Sequence, residues 1–299
     1  MPPDPRSTGT GGGLPLALGA YFIWGLIPLY FAMARAVPPV EMVAWRIMFT
    51  LPFCLAVVAV SRQQGAVMLA IRDRRVLLTL AASGLLIAAN WLVYVFAVTH
   101  GHVLASSLGY YINPLVNVLA GTLFLGERLS SRQWAAVAVA GLGVAILAWG
   151  ARDMLWISLT LAFSFGGYGL VRKLAPVESL PGLTVETLLL TIPATICLVW
   201  LATSPGGTSM GKSAELAAVL ACSGVVTGTP LLLFAGAARR MDYSALGMVQ
   251  YLAPTMVFVL GLTVFGEPLR PIQLGCFVLI WSAVAIFSWD LLARRKGAR

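Results

Sequence analysis

The stretch "YYINPLVNVLAGTLFLGERLSSRQ", residues 110–133, is echoed by "QYLAPTMVFVLGLTVFGEPLRPIQ", residues 250–273. At a constant shift of 140 residues, Tyr111, Pro114, Gly121, Gly126, Glu127, Leu129, Gln133 and Trp149 fall on Tyr251, Pro254, Gly261, Gly266, Glu267, Leu269, Gln273 and Trp289. Upstream, "AASG" from Ala81 falls on "ACSG" from Ala221 at the same shift. The chain is therefore a tandem duplication, and the nature of the duplicated unit decides the fold.

That unit is apolar. Of the 299 residues, 59% are hydrophobic and only 10% charged, and the mean hydropathy is +0.89. A soluble domain carries roughly 25% charged residues, so this chain cannot cover a water-facing surface. A bilayer core needs about 20 apolar residues per helix. Ten such spans are predicted: 14–34, 41–61, 76–97, 102–124, 132–149, 154–173, 183–203, 215–237, 243–265 and 271–292. The predicted fold is an all-α polytopic membrane protein. Residues 1–13 read as a polar, Pro- and Gly-rich disordered tail, 14–149 as the first five-helix repeat, 150–292 as the second, and 293–299 as a basic tail. Five helices is an odd number, so the second repeat must enter the bilayer upside down relative to the first. Inverted repeats are typical of carriers that expose one central site alternately to either side.

The basic residues orient the chain. Of the 20 Lys and Arg, only Arg35, Arg152, Lys212 and Arg270 fall on the side opposite the termini, and Arg46 falls within helix 2. The remainder lie with the termini, so both termini are expected in the cytoplasm.

The two copies close with "FLGERL…Q" and "VFGEPL…Q". With the two five-helix halves, they resemble the EamA repeats of the drug/metabolite transporter superfamily. Within it, "AYFIWGLIPLYF", "NWLVYVFAVTHGHVLASSLGYYINPLVNVLAG", "LTVETLLL" and "QYLAPTMVFVL" are similar to the RarD branch. The resemblance covers about residues 14–292. It implies an inner-membrane secondary transporter, an exporter of a small organic metabolite. One position departs from the pattern: "EMVAWRIM" has Trp45 where the branch tends to have His. Any proton role of that His does not carry over.

Several polar residues inside the spans are candidates for the substrate site. Arg46 sits about one and a half turns into helix 2, where a charge is costly unless it meets a polar cavity, an ion-pair partner or the interface. Glu41 at i−5 points elsewhere on the helix and is a poor partner. Tyr110, Asn113 and Asn117 share one side of helix 4, and Pro114 frees the carbonyl of Tyr110. Helix 9 repeats this with Gln250, Tyr251 and Pro254. Paired proline breaks in inverted halves point to a midplane site, although amides can also join helices as structural glue. Trp24 on helix 1 beside Pro28, Asn90 and Tyr94 on helix 3, and Tyr168 on helix 6 are aromatic and amide candidates for the same cavity. Trp91 lies beside them, and Tyr30 reads as an interface aromatic. Glu127 and Glu267, after Gly126 and Gly266, read as a tight turn and a cap on the next helix. Gly121 and Gly261 permit close helix contact.

Other chemistries find little support. Glu41 and Glu186 are expected in the first turns of their helices, which leaves no mid-span acid. Arg46 without a central acid favours an anionic substrate, such as an amino acid or other carboxylate. His100 and His102 share one loop with no further His, so no metal site is expected. The four cysteines lie singly in apolar runs and read as packing residues. No basic run with interleaved aromatics suggests nucleic acid. No cofactor is implied, and the partners expected are a small-molecule substrate and the lipid bilayer. "GGTSMGKS", residues 206–213, matches the phosphate-loop pattern, but an apolar span precedes it rather than a strand, so no nucleotide is expected there. A membrane-embedded enzyme would need clustered acids, His or a nucleophile–base set, which the chain lacks. A non-transporting scaffold or sensor would not require the inverted duplication.

Overall fold

The computed structural model describes residues 12–100, 102–149, 154–266 and 271–297. The described residues are helical and contain no strand. The elements are α1 (Leu14–Met33), α2 (Pro39–Val60), α3 (Gln64–Arg72), α4 (Arg74–Thr99), α5 (Val103–Phe124), α6 (Ser131–Trp149), α7 (Leu155–Leu174), α8 (Ser179–Thr203), α9 (Ala214–Ala238), α10 (Tyr243–Gln250), α11 (Leu252–Thr263) and α12 (Pro271–Gly297). Among the described residues, eight segments are long and apolar enough to cross a membrane. The protein is thus a multi-pass helical membrane protein. α5 and α7 are not among the eight, though they are 22 and 20 residues long. They are polar helices: α5 carries Ser106, Tyr110, Asn113 and Asn117, and α7 carries Ser158, Ser164, Tyr168 and Arg172. They pack on each other, with α4 also against α7 and α10 also against α5. Asn113, Asn117 and Ser158 hydrogen-bond across these contacts instead of facing lipid.

α3 is an element that the charged loop "SRQQG…RDRR" does not announce. Ala70 is buried in it, and Val67 and Ile71 pack with Val76, Leu80 and Val185 of α4 and α8. Met68 and Leu69, on another side, are exposed. The loop is an amphipathic helix laid across the ends of its neighbours.

Pro254 and Pro114 behave differently. The chain breaks at Tyr251, three residues before Pro254, where helix α10 gives way to α11. Pro254 has no N–H to offer the Gln250 carbonyl, which is where a continuous helix would need one. α5 runs through Pro114 without interruption, and α1 runs through Pro28. Gly247 of α10 fits against this stretch: a methyl group there would come within 2.8 Å of the Pro114 carbonyl oxygen.

Gly126 and Gly266 both have φ of +66°, the left-handed region in which glycine has no steric penalty. Gly126 turns the chain so that Glu127 folds back toward α5. Its carboxylate accepts from the backbone N–H of Tyr243 (2.5 Å) and Ser244 (2.9 Å) and from the Ser244 hydroxyl (2.5 Å). Glu127 is thus a helix cap, but for α10 in the other half of the chain. The helix that follows it, α6, has its own cap. The Gln133 side chain accepts from Ser130 N–H, and the Ser130 hydroxyl accepts from Gln133 N–H, a reciprocal capping box. Gly121 leaves room for this arrangement, since a methyl there would meet the Glu127 carboxylate and the Ser244 hydroxyl. Gly261 is buried in α11. Glu267 lies outside the described residues.

Removing this cap has a measurable cost. Glu127→Ala leaves two backbone N–H groups of α10 unpaired and should lower stability by about 2 kcal/mol. Thermal denaturation of the detergent-solubilised protein should show a lower Tm, with Glu127→Gln in between.

Candidate functional site

Arg46 is the starting point, because a charge inside a span must be accounted for. It lies on α2, which packs against α8 and α9. Its Nε donates to the hydroxyl of Thr227 on α9 (2.9 Å). The guanidinium carbon lies 5.2 Å from a ring centroid of Trp91 on α4 and 5.7 Å from that of Phe31 on α1. The phenols of Tyr110, Tyr30 and Tyr94 lie in its neighbourhood. Tyr94 and Tyr110 meet edge to face at 6.2 Å, and Tyr110 remains 40% exposed. Aromatic faces attract a cation but do not neutralise it. Among the described residues no carboxylate pairs with Arg46. The site is a partly buried guanidinium with one neutral hydrogen bond and an aromatic surround, which chemically is a receptor for an anionic oxygen.

Glu41 does not fill that role, for a reason visible in its contacts. It is 1% exposed and accepts from Trp45 Nε1 (3.0 Å), Ser209 N–H (2.5 Å) and the Ser209 hydroxyl (2.8 Å). Trp45, which departs from the branch pattern, thus holds Glu41 and stacks on Phe49. Ser209 belongs to "GGTSMGKS". The loop's backbone donor therefore faces the protein's own carboxylate, while Ser213 caps α9 by accepting from Leu216 N–H (3.1 Å). The segment is a strap tying the start of α2 to the start of α9. Lys212→Ala should leave transport and Tm unchanged, whereas Glu41→Ala, which orphans the three donors, should lower Tm.

The remaining predicted residues divide into separate groups. Asn113 and Asn117 do not share an open face with Tyr110: they are 2% and 0% exposed. Asn113 donates to the Ala162 carbonyl of α7 (3.3 Å), and Asn117 donates to the Gln250 side chain of α10 (2.9 Å). The Tyr21 hydroxyl also reaches Gln250 (3.4 Å). Tyr251 donates to the carbonyl of Tyr111, its repeat mate (3.3 Å). Asn90 donates to the Leu161 carbonyl (2.9 Å) and the Ser164 hydroxyl (3.0 Å) of α7. Trp24 packs with Tyr21, Phe165 and Phe234, and Tyr168 stacks on Phe234. Of the candidates, only Tyr94 and Tyr110 stand around Arg46.

Phe31, Thr227, Arg172 and the true position of Glu186 escape a reading of the spans alone. α8 begins at Ser179, four residues before the predicted span, so Glu186 lies two turns inside it rather than in the first. It is 2% exposed and faces Arg172 of α7 at 3.6 Å. Residue 186 is also residue 46 shifted by 140. The duplication that aligns Ser83 with Ser223 places an acid at the position equivalent to Arg46.

These features define a membrane protein of the transporter class. The EamA-like transporter family model matches the chain twice, over residues 11–149 and 153–289. The chain belongs to this family, within its RarD branch. It is 45% identical to an uncharacterized transporter of Pseudomonas aeruginosa over 93% of each chain. It is 44% identical to Protein RarD of Salmonella typhimurium over 95% of this chain and 97% of that one. It is also 40% identical to Protein RarD of Escherichia coli over 95% of this chain and 96% of that one. A solved crystal structure shares the fold with a TM-score of 0.75, at 20% identity over 96% of this chain and 100% of that chain.

Proposed function

We propose that the chain crosses the bacterial inner membrane ten times, with both termini in the cytoplasm, as two five-helix halves of opposite orientation. It is a secondary transporter that exports a small organic metabolite carrying a carboxylate, such as an amino acid, by alternating access. The observation that carries the substrate reading is the Arg46 guanidinium, held by Thr227 and aromatic faces and met by no carboxylate among the described residues. At this partly buried guanidinium an incoming anion supplies the missing charge.

The packing supports the inverted arrangement. Exchanging the two halves turns the α5–α7 contact into that of α1 with α10 and α11, α4–α7 into α1–α9, and α2–α9 into α4–α8. It maps α2–α8, α6–α12 and α5–α10 onto themselves. The Arg46 surround draws on α1, α2, α4, α5 and α9, so residues from both halves meet at it.

Untargeted metabolomics of medium and cells, with and without the gene, names the substrate. Counterflow of labelled amino acids and small carboxylates in proteoliposomes then tests the reading. Exchange of an anionic or zwitterionic member of the panel is expected. Exchange confined to cationic or neutral solutes would overturn it.

A further inference from the structure

The charge at the position equivalent to Arg46 is buried and held differently. Glu186 accepts from Ser83 of α4 through Oε1, and the same oxygen faces Arg172 Nη1 at 3.6 Å. Its other oxygen, Oε2, is buried with no hydrogen-bond partner, as are Nε and Nη1 of Arg172. A buried ion pair that serves only stability must saturate its hydrogen bonds, because the Coulombic gain otherwise fails to offset desolvation. Arg172 is nevertheless secured without the acid. Its Nη2 donates to the Ser179 carbonyl (2.9 Å), it sits in the last turn of α7, where the helix dipole favours a cation, and Gly182 leaves space for the guanidinium. When the carboxylate is protonated, Arg172 keeps this hydrogen bond but is left buried without an anion beside it, a cost that favours rearrangement around the neutral acid.

A small cavity adjoins the carboxylate, lined among others by Glu186, Tyr168, Thr50, Thr187 and Trp91. Its volume is ≈ 10 Å³. That is about the space of one water, whereas a small-molecule pocket needs roughly 300 Å³ or more. The cavity admits a water or a proton and excludes a metabolite. The Arg172 charge at the same spot disfavours a metal cation. Trp91 lines this cavity and also lies over Arg46, so the two sites share a wall.

We propose that Glu186 is a proton-binding site, and that its protonation couples transport to the proton gradient. In the step, a proton from water forms an O–H bond at Oε2. Arg172 keeps its own proton and its bond to Ser179 while losing its anionic neighbour. After the halves reorient, the same O–H bond breaks and the proton leaves to water on the other side. The groups facing Glu186 are Cys54 of α2, Ser83 of α4, and Tyr168 and Arg172 of α7. Arg239, at the end of α9, adds a charge beside Arg172 and Glu178. α3 presents apolar Val67 and Ile71.

The coupling half of the proposal rests on the transport reading above; the proton site does not. With the full-length protein in lipid, infrared difference spectra between alkaline and acid pH should show a carboxylic-acid C=O band. Glu186→Gln should lose it and Glu215→Gln, an exposed acid, should keep it. In the wild type, dicyclohexylcarbodiimide should modify Glu186 at acid pH, as read by peptide mass spectrometry, which needs no variant to fold. In proteoliposomes loaded with a labelled amino-acid mixture, Glu186→Gln should retain counterflow yet lose accumulation driven by an imposed pH gradient, and Glu186→Asp should restore part of it. An intact band in Glu186→Gln, no adduct at Glu186, or accumulation driven by a Na⁺ gradient instead would overturn the proposal. If the wild type exchanges none of the mixture while the band and the adduct appear, the amino-acid reading fails and the proton site stands.

Discussion

Arg46→Gln should reduce counterflow to the background of empty liposomes while leaving the protein folded. Glutamine can still donate to Thr227, so the α2–α9 contact keeps a hydrogen bond. What it cannot supply is the charge. A hydrogen bond to a charged group contributes about 1.5–3 kcal/mol, which corresponds to a ten- to hundredfold weaker hold on an anion. Arg46→Lys separates charge from shape. Lysine keeps the charge but lacks Nε and the planar guanidinium that lies beside Trp91 and Phe31, so intermediate exchange is expected. Matched Tm values for the three proteins, with exchange ordered Arg, Lys, Gln, would fit a substrate-binding charge. Equal exchange in all three would remove Arg46 from the site.

Gly224→Ala should be the most damaging single methyl group. Gly224 of α9 lies against the backbone of α2, where an added Cβ would overlap the Phe49 carbonyl. The obstacle is backbone, so no side-chain rotation relieves it, and the two helices must separate. Overpacking of this kind costs about 1–3 kcal/mol, and separation of α2 from α9 would also pull Thr227 from Arg46. Its repeat mate, Gly84, has only Leu190 at 3.9 Å from the equivalent Cβ position. Gly84→Ala should be neutral or stabilising, since alanine is the better helix former. Solubilised yield, Tm and counterflow of the two variants provide the comparison. Equal behaviour of the pair would contradict the α2–α9 contact.

The contrast between these two glycines shows where sequence reasoning stops. The 140-residue shift equates them, and their packing does not. Gly126 and Gly266 are legible because a tight turn after an apolar run needs a residue tolerant of positive φ, a local requirement. Glu127 is legible as a cap, while its target lies 116 residues away. α3 is hidden because a short amphipathic helix among arginines has the composition of a loop. Glu186 is misplaced because the true start of α8, at Ser179, precedes the apolar run by a turn that carries Pro181 and Gly182. The shift was nonetheless sufficient to align residue 186 with residue 46, the one signal in the sequence that could have found it.

Composition and the spacing of apolar runs, charges and repeats are one-dimensional, and they were sufficient to establish a helical membrane protein duplicated within one chain. Apolar length answers to the bilayer, and the copied motifs need no partner to be recognised. Which buried polar groups meet is decided between helices, by the face each one turns and by where glycine lets backbones approach. Only the tertiary structure decided that Glu41 serves Ser209, that Asn117 serves Gln250, that Glu186 faces Arg172, and that Arg46 among the described residues has no acid of its own.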